Sequence, residues 1–431
     1  MAEKARQGMP AGELPAPAEE WRSVSDITIV RAGALGDFVA TLPALRALAG
    51  ENRRLHLVGN ASVARALTPD LFASIRSIED PTAAFLFDDG APPPGLGHPG
   101  DSPRQARRPV SLRTDSAAET NRADSVDYGA APFSVEPTDA AVAPLAWMEE
   151  AAIVIALDPA IERRVGAVGW RPTLFVPAHP PPELALTVAA HLVRGAGRAT
   201  LHHPSLAHVA KSADLDPSGV AGTALCLPSL DQPTIYPHPD AIARADGVRR
   251  DKGVGARYAT IHPGSGSPRK NWPIDRFGAI ASLLHAHGVE PVFLTGPADG
   301  DLRRQIAAIA ALAASRGAST IVDSTAAPVL DDLDLPTLAG LISQARCHVG
   351  NDSGISHLAA GLGAPTVVIY GSTRAARWLP AGPYVTAVEP SARCPLCAAS
   401  ERLPVACDCL ATVSVEAVWR TIAAVLDGEG A

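Results

Sequence analysis

Short, almost wholly apolar runs alternate along this chain with longer stretches whose apolar residues recur every three to four positions. DITIVR (26–31), RLHLVG (54–59) and AAIVIAL (151–157) carry the β-branched, strongly apolar character of strands buried on both faces of a parallel sheet. Text of helical period separates them, and a helix is predicted over 37–49. These elements make a first lobe. A second series is cleaner: strand YATIH (258–262), helix 274–287, strand 291–295, helix 302–316, strand TIVDS (320–324), helix 335–345, strand CHVGN (347–351), helix SGISHLAAGLG (353–363) and strand PTVVIYG (365–371). Repeated βα units with short connections predict doubly wound parallel sheets, an α/β fold whose ligands bind beyond the carboxyl ends of the strands.

Three stretches break the pattern. Residues 1–22 read as a flexible tail, 88–144 as a low-complexity insertion rich in Pro, Gly, Ser, Asp and Arg, and 228–239 as a proline-rich linker. The expected division is therefore an N-terminal lobe over 23–230 and a C-terminal lobe over 240–431. A length of 431 residues, 47% of them apolar, is ample for two cores. The 37 Lys and Arg against 45 Asp and Glu give a net charge of −8 with no basic run, which argues against nucleic acid as a partner. No apolar stretch approaches the roughly 20 residues a bilayer requires, and the start lacks the pattern of a secretion signal. A cytoplasmic protein is expected, with room for peripheral contact at the inner membrane.

Chemistry is sought in the loops after strands. In RAGALGD, Gly33 and Gly36 let the backbone approach a ligand, and Asp37 stands at the start of the first helix. Asp37 fits two roles there: a helix cap, and a general base toward an acceptor hydroxyl. The spacing does not choose between them. HPGSGSPRKNWP, with Ser265, Gly266, Arg269 and Lys270, offers small residues, free amides and two cations between a strand and a helix. Such a loop suits a diphosphate and equally a solvated turn; it lacks the Walker pattern of glycines ahead of Lys-Ser or Lys-Thr. In GNDSGISH, Asp352 or Ser353 caps a helix whose first amides, from Ser353 and Gly354 onward, can hold phosphate oxygens, with His357 one turn along. Six cysteines include the cluster Cys394, Cys397, Cys407 and Cys409. Four thiolates can surround a zinc ion, but the single residue between the last two is atypical of zinc ribbons, so reduced thiols or a disulfide are expected there before a metal.

Taken together, ITIVRAGALGDFVATLPALRAL, IHPGSGSPRKNWPIDRFGAIASLL, FLTGPAD and VGNDSGISHLAAGLGAPTVVIYGSTRAARWLP, in that order, resemble glycosyltransferase family nine, the ADP-heptose:lipopolysaccharide heptosyltransferases. The cysteine-rich tail followed by a final helix fits the same resemblance. It implies a GT-B fold, two Rossmann-like lobes facing across a cleft, and inverting transfer from a nucleotide-sugar, by family an ADP-sugar, to a glycan or lipid-linked glycan hydroxyl with no cofactor or metal required. Carried over by motif, Asp37 matches the catalytic base and Lys270 the residue that neutralises the leaving diphosphate. Ser265, Gly266, Asp299, Asp352, Ser353, Gly354 and His357 match the donor side, and Gly33 and Gly36 the acceptor loop. Asp299 holds the acid position of a G-P-x-acid turn where many relatives carry Glu. Two rival functions share the architecture: a nucleotide-sugar 2-epimerase, which needs further acid and base groups around the sugar, and a nucleotide-sugar-binding protein without turnover.

Overall fold

The computed structural model describes residues 21, 24–49, 53–80, 83, 151–156, 161, 173–179, 187–196, 232–306, 327–399 and 407–428. The predicted insertion 88–144, strand 320–324, most of helix 302–316 and the first part of the 228–239 linker lie outside them. So does the predicted tail apart from Trp21, which is buried and accepts a hydrogen bond on its carbonyl from Arg53 at 3.1 Å.

The first lobe runs β1 (Asp26–Arg31), α1 (Leu35–Ala49), β2 (Arg54–Gly59), α2 (Ala61–Leu67), β3 (Ser74–Ser77), β4 (Ala151–Ala156), β5 (Thr173–Pro177) and α3 (Val188–Ala196). Its strands are all parallel, in the order β3-β2-β1-β4-β5. The second lobe runs α4 (Pro239–Asp251), β6 (Tyr258–His262), α5 (Ile274–Ala286), β7 (Glu290–Thr295), β8 (Val329–Asp331), α6 (Leu335–Ser343), β9 (His348–Asn351), α7 (Gly354–Gly361), β10 (Thr366–Ile369), α8 (Ala375–Trp378), β11 (Val385–Val388), α9 (Pro395–Ala399) and α10 (Val415–Asp427). It too is wholly parallel, ordered β11-β10-β9-β6-β7-β8. Counted from its own first strand, that order is the dinucleotide-fold sequence 3-2-1-4-5-6.

Burial explains the strands. Every residue of β1, β4, β6, β9 and β10 is buried, as continuous apolar runs in the middle of a helix-covered parallel sheet must be. Each sheet reverses its winding once, between β1 and β4 and between β6 and β9. The loops leaving β1, β6 and β9 therefore open at the switch points where such sheets bind ligands.

The lobes pack on each other through α1 and α7. A single apolar cluster runs from Ile27 and Leu42 of the first lobe to Val292 and Leu341 of the second. The amides of Thr234 and Ile235 donate to the Gly361 carbonyl at 2.8 and 3.0 Å, tying the inter-lobe segment to the end of α7. That segment becomes helical at Pro239, with His238 as the capping residue and proline at a position where its missing N–H costs nothing.

Candidate active site

Asp37 is not the cap of α1 but its third residue, since the helix begins at Leu35. Ala34, at the capping position, has no side chain to offer. Asp37 reaches back instead, and its Oδ2 accepts from the Ala34 amide at 3.1 Å, the return half of a capping box. Its Oδ1 lies 3.4 Å from an Arg31 guanidinium nitrogen. Arg31 is buried at the end of β1, where its Nε donates to Thr41 Oγ1 at 3.2 Å. Burial lowers the Arg31 pKa, and the Asp37 charge opposes that shift. Gly33 makes the approach possible: its φ is +148°, and a Cβ there would sit 2.7 Å from Asp37 Cβ. The carboxylate is thus fixed on one side while its side chain keeps 33% of its surface open.

On the second lobe, Asn351 at the end of β9 sets the loop after β6. Its Nδ2 donates to the Pro263 carbonyl at 2.7 Å and its Oδ1 accepts from the Trp272 amide at 2.9 Å. Trp272 is buried against Phe277 and donates from Nε1 to the Val413 carbonyl at 2.9 Å. Lys270, between these anchors, points its Nζ to Asp352 Oδ2 at 3.2 Å, with the lysine side chain 22% exposed and the aspartate 5%. The Ser265 hydroxyl is spent inside the loop, 2.6 Å from Asn271 Oδ1 and accepting from the Ser267 amide at 3.2 Å. Gly266 faces open space.

Beneath the loop lies a buried polar chain. His348 hydrogen-bonds Thr260 Oγ1 at 3.0 Å and approaches Ser356 Oγ at 3.5 Å, and Ser356 Oγ donates to the Asn351 carbonyl at 2.7 Å. Ser353 caps α7 through the Ser356 amide at 3.4 Å and meets His262 Nδ1 at 3.5 Å. The other ring nitrogen of His262 lies 3.5 Å from Asp299 Oδ2, which also accepts from the Gly296 amide at 2.8 Å. Burial, reinforced by the charge of His262, pushes the His348 pKa down to about 3. Asp299 is held below the usual carboxylate range: burial works to raise it, but the His262 hydrogen bond and charge, the Gly296 amide and the charge of Arg303 outweigh burial.

The two halves meet at a pair of glycines. A Cβ on Gly36 would lie 3.3 Å from Gly354 Cα and 3.5 Å from the His357 ring, and one on Gly354 would lie 3.2 Å from the Gly36 amide nitrogen. The positive ends of α1 and α7 therefore converge, an arrangement that favours an anion between them. His357 is buried there with its Nδ1 unpartnered. Burial lowers its pKa against the raising charges of Asp352 and Asp37, with Lys270 adding to the lowering. Gly33, Gly36, Asp37, Lys270, Asp352, Ser353, Gly354 and His357 thus gather around one junction. Asp299 and Ser265 serve the loop behind it through His262 and Asn271. Sequence reasoning missed Arg31, His262, His348 and Asn351, whose roles depend on partners 6 to 91 positions away. The clue for His262 was its place just ahead of the P-G-S-G loop.

Cys394, Cys397, Cys407 and Cys409 also come together, and all are free, so the disulfide alternative is not the one the structure adopts.

Two Rossmann-type lobes with their switch points turned toward each other constitute a GT-B architecture. Residues 222–402 match the family model glycosyltransferase family 9 (heptosyltransferase), and it is to that family that this portion of the chain is similar. Lipopolysaccharide heptosyltransferase 3 of Escherichia coli is 30% identical over 161 residues, 37% of this chain and 44% of that protein; the chain matches less than half the length of this relative. Among solved structures, a glycosyl transferase family 9 protein from Veillonella parvula DSM 2008 superposes with a TM-score of 0.57 at 13% identity, covering 96% of this chain and 99% of that one. The E. coli ADP-heptose lps heptosyltransferase II gives 0.56 at 12% identity over 94% and 100%. These two likenesses show the fold.

Proposed function

We propose that this protein is an inverting glycosyltransferase that moves a sugar, heptose from ADP-heptose by its family, onto a hydroxyl of a lipopolysaccharide core or related surface glycan. The observation that carries the reading is the junction itself: a pinned, partly open carboxylate on the first lobe abuts a cationic, amide-rich helix start on the second. In the proposed reaction an acceptor hydroxyl oxygen attacks the anomeric carbon as the bond to the nucleotide diphosphate breaks. Asp37 accepts the hydroxyl proton, and the contact with Arg31 and the Ala34 amide holds its oxygens in place. Negative charge gathers on the departing ADP. Lys270 and the amides at Ser353 and Gly354 face that charge in a fixed arrangement, the kind of preorganised field that contributes most to such reactions.

Asp352 orients Lys270, Gly266 and the Ser265 loop line the donor side, and His357, kept neutral by burial, packs where the lobes meet. Asp299 positions the loop through His262. Gly33 and Gly36 keep the acceptor side free of side chains. The first lobe, 23–230, takes the acceptor and the second, 240–431, the donor. Lys270 and the helix ends supply the charge compensation, so the transfer step is assigned no metal. In this reading lipid-linked acceptors are reached by peripheral contact; among the described residues no helix is long and apolar enough to cross a membrane.

The test is a panel of ADP-, GDP-, UDP- and dTDP-sugars added to the purified chain in a thermal-shift assay, followed by nucleotide release in the presence of lipopolysaccharide core oligosaccharide. An ADP-sugar should raise the melting temperature by mass action and release ADP only with acceptor. Stabilisation by none of the four sinks the proposal.

A further inference from the structure

We propose that Cys394, Cys397, Cys407 and Cys409 form a tetrathiolate site for one thiophilic first-row metal ion, zinc by its ligand set. The ion would fasten the segment after β11 to the loops around the candidate active site. The four sulfur atoms all lie within 4.8 Å of one another, and none is in a disulfide. Zinc–sulfur bonds of about 2.3 Å in a tetrahedron place sulfurs about 3.8 Å apart. Cys394 and Cys407 match this at 3.7 Å, whereas Cys397 and Cys407, at 2.8 Å, stand closer than a tetrahedron allows and would part by about 1 Å on binding. The spacing that weighed against zinc in the sequence loses its force here. Cys397 lies within α9, and Cys409 opens the short helical turn Cys409–Thr412, so each pair arrives from its own tight turn and the two pairs face each other.

Backbone donors complete the site. The Cys394 amide donates to Cys409 Sγ at 3.0 Å and the Cys409 amide to Cys407 Sγ at 3.4 Å, contacts that stabilise thiolate charge and orient metal ligands. Cys397 and Cys409 are buried, while Cys394 and Cys407 are half-buried and leave a route of entry. Binding would release the thiol protons to solvent as the four sulfurs become thiolates.

The position explains the use. An Arg374 guanidinium nitrogen donates to the Cys397 carbonyl at 3.3 Å, and Arg393 donates to the Gly371 and Thr373 carbonyls at 2.7 and 3.0 Å, joining the cluster to the loop after β10. On the other side Arg276 donates to the Ala411 and Val413 carbonyls at 2.6 and 2.7 Å, and Trp272 binds the same Val413 carbonyl. Trp272 is two residues from Lys270. Helix α9 is only five residues long and leaves Leu396 exposed instead of buried in a core, so a metal would do here what a core does elsewhere.

The experiment is elemental analysis of the untagged full chain, purified under reducing conditions without chelator. About one zinc per chain is expected. An iron ion bound to the same donors, visible by its colour, also supports the site. Cys397→Ser and Cys409→Ser should each reduce the metal to below about a tenth of an equivalent, whereas Cys226→Ser should retain it. Titrating wild type with an organomercurial should release the ion in step with thiol modification, which makes the test independent of how the variants fold. Stripping the ion should lower the melting temperature by about 5 °C or more. A metal-free wild type, or an ion retained by the Cys397→Ser/Cys409→Ser double variant, overturns the proposal.

Discussion

Replacing Lys270 by Ala separates what the lysine does for the fold from what it does for a ligand. Lys270 Nζ is 3.2 Å from Asp352 Oδ2, with side chains 22% and 5% exposed. Removing one partner of a fully buried pair costs about 3–5 kcal/mol because a charge is left without compensation, and the lysine's partial exposure reduces this to about 2 kcal/mol. At roughly 2–4 °C per kcal/mol for a lobe of this size, the melting temperature should fall by about 4–8 °C. Adding Asp352→Asn removes the orphaned charge, and most of that loss should return. Binding should behave differently. A charge-assisted contact to a diphosphate contributes about 1.5–3 kcal/mol, so ADP affinity measured by calorimetry should drop about 10- to 150-fold in the single variant and stay weak in the double. Should the double variant bind ADP like wild type, Lys270 acts only through Asp352, and the placement of the phosphate site is wrong.

Gly33→Ala should cost about 1–3 kcal/mol in denaturant melts, since its φ of +148° is strained for alanine, and the added Cβ falls 2.7 Å from Asp37 Cβ. Turnover should fall with it as the carboxylate is displaced, and wild-type turnover in Gly33→Ala would contradict the geometry assigned to Asp37. Stability should also depend on acid through His348. Its pKa is pushed from 6.5 down to about 3, so the unfolded chain takes up a proton below pH 6.5 while the folded chain does not. The contribution is fully present above pH 6.5 and is lost on acidification at about 1.4 kcal/mol per pH unit until pH 3. Urea melts across that range should show the slope, and His348→Gln should flatten it; equal slopes in the two proteins would refute the assignment.

The central strands were legible because a strand buried on both faces has to be apolar from end to end. DITIVR, RLHLVG and YATIH became β1, β2 and β6 at their predicted limits. Strands β3, β5, β8 and β11 were not foreseen. All four lie at sheet edges, and each is three to five residues long, so SIRS, TLFVP, VLD and VTAV carry too few buried positions for a pattern to emerge. Helix α4, which begins where the predicted linker ends, was not foreseen, since it buries only Ala241 and Ala245. In the candidate site the loops that chain order joins to a strand end were readable: RAGALGD, HPGSGSPRK and GNDSG all lead from the carboxyl ends of switch-point strands. Their supports were not. Arg31 gains its meaning from Asp37 and Thr41 on the following helix, the His262–Asp299 contact joins β6 to the turn after β7, and the Thr260–His348 contact joins β6 to β9. The position of Asp37 was also misjudged by two residues, because Ala34 gives no sign that a helix has begun.

The account depends most on Asp37 serving as the proton acceptor beside the diphosphate nest. The decisive measurement compares Asp37→Asn with wild type in acceptor-dependent ADP release and in calorimetric binding of the ADP-sugar. The predicted result is turnover reduced by about 10²- to 10⁴-fold with the dissociation constant of the donor unchanged within a few-fold. Undiminished turnover in Asp37→Asn would contradict the account, whatever the protein is found to bind.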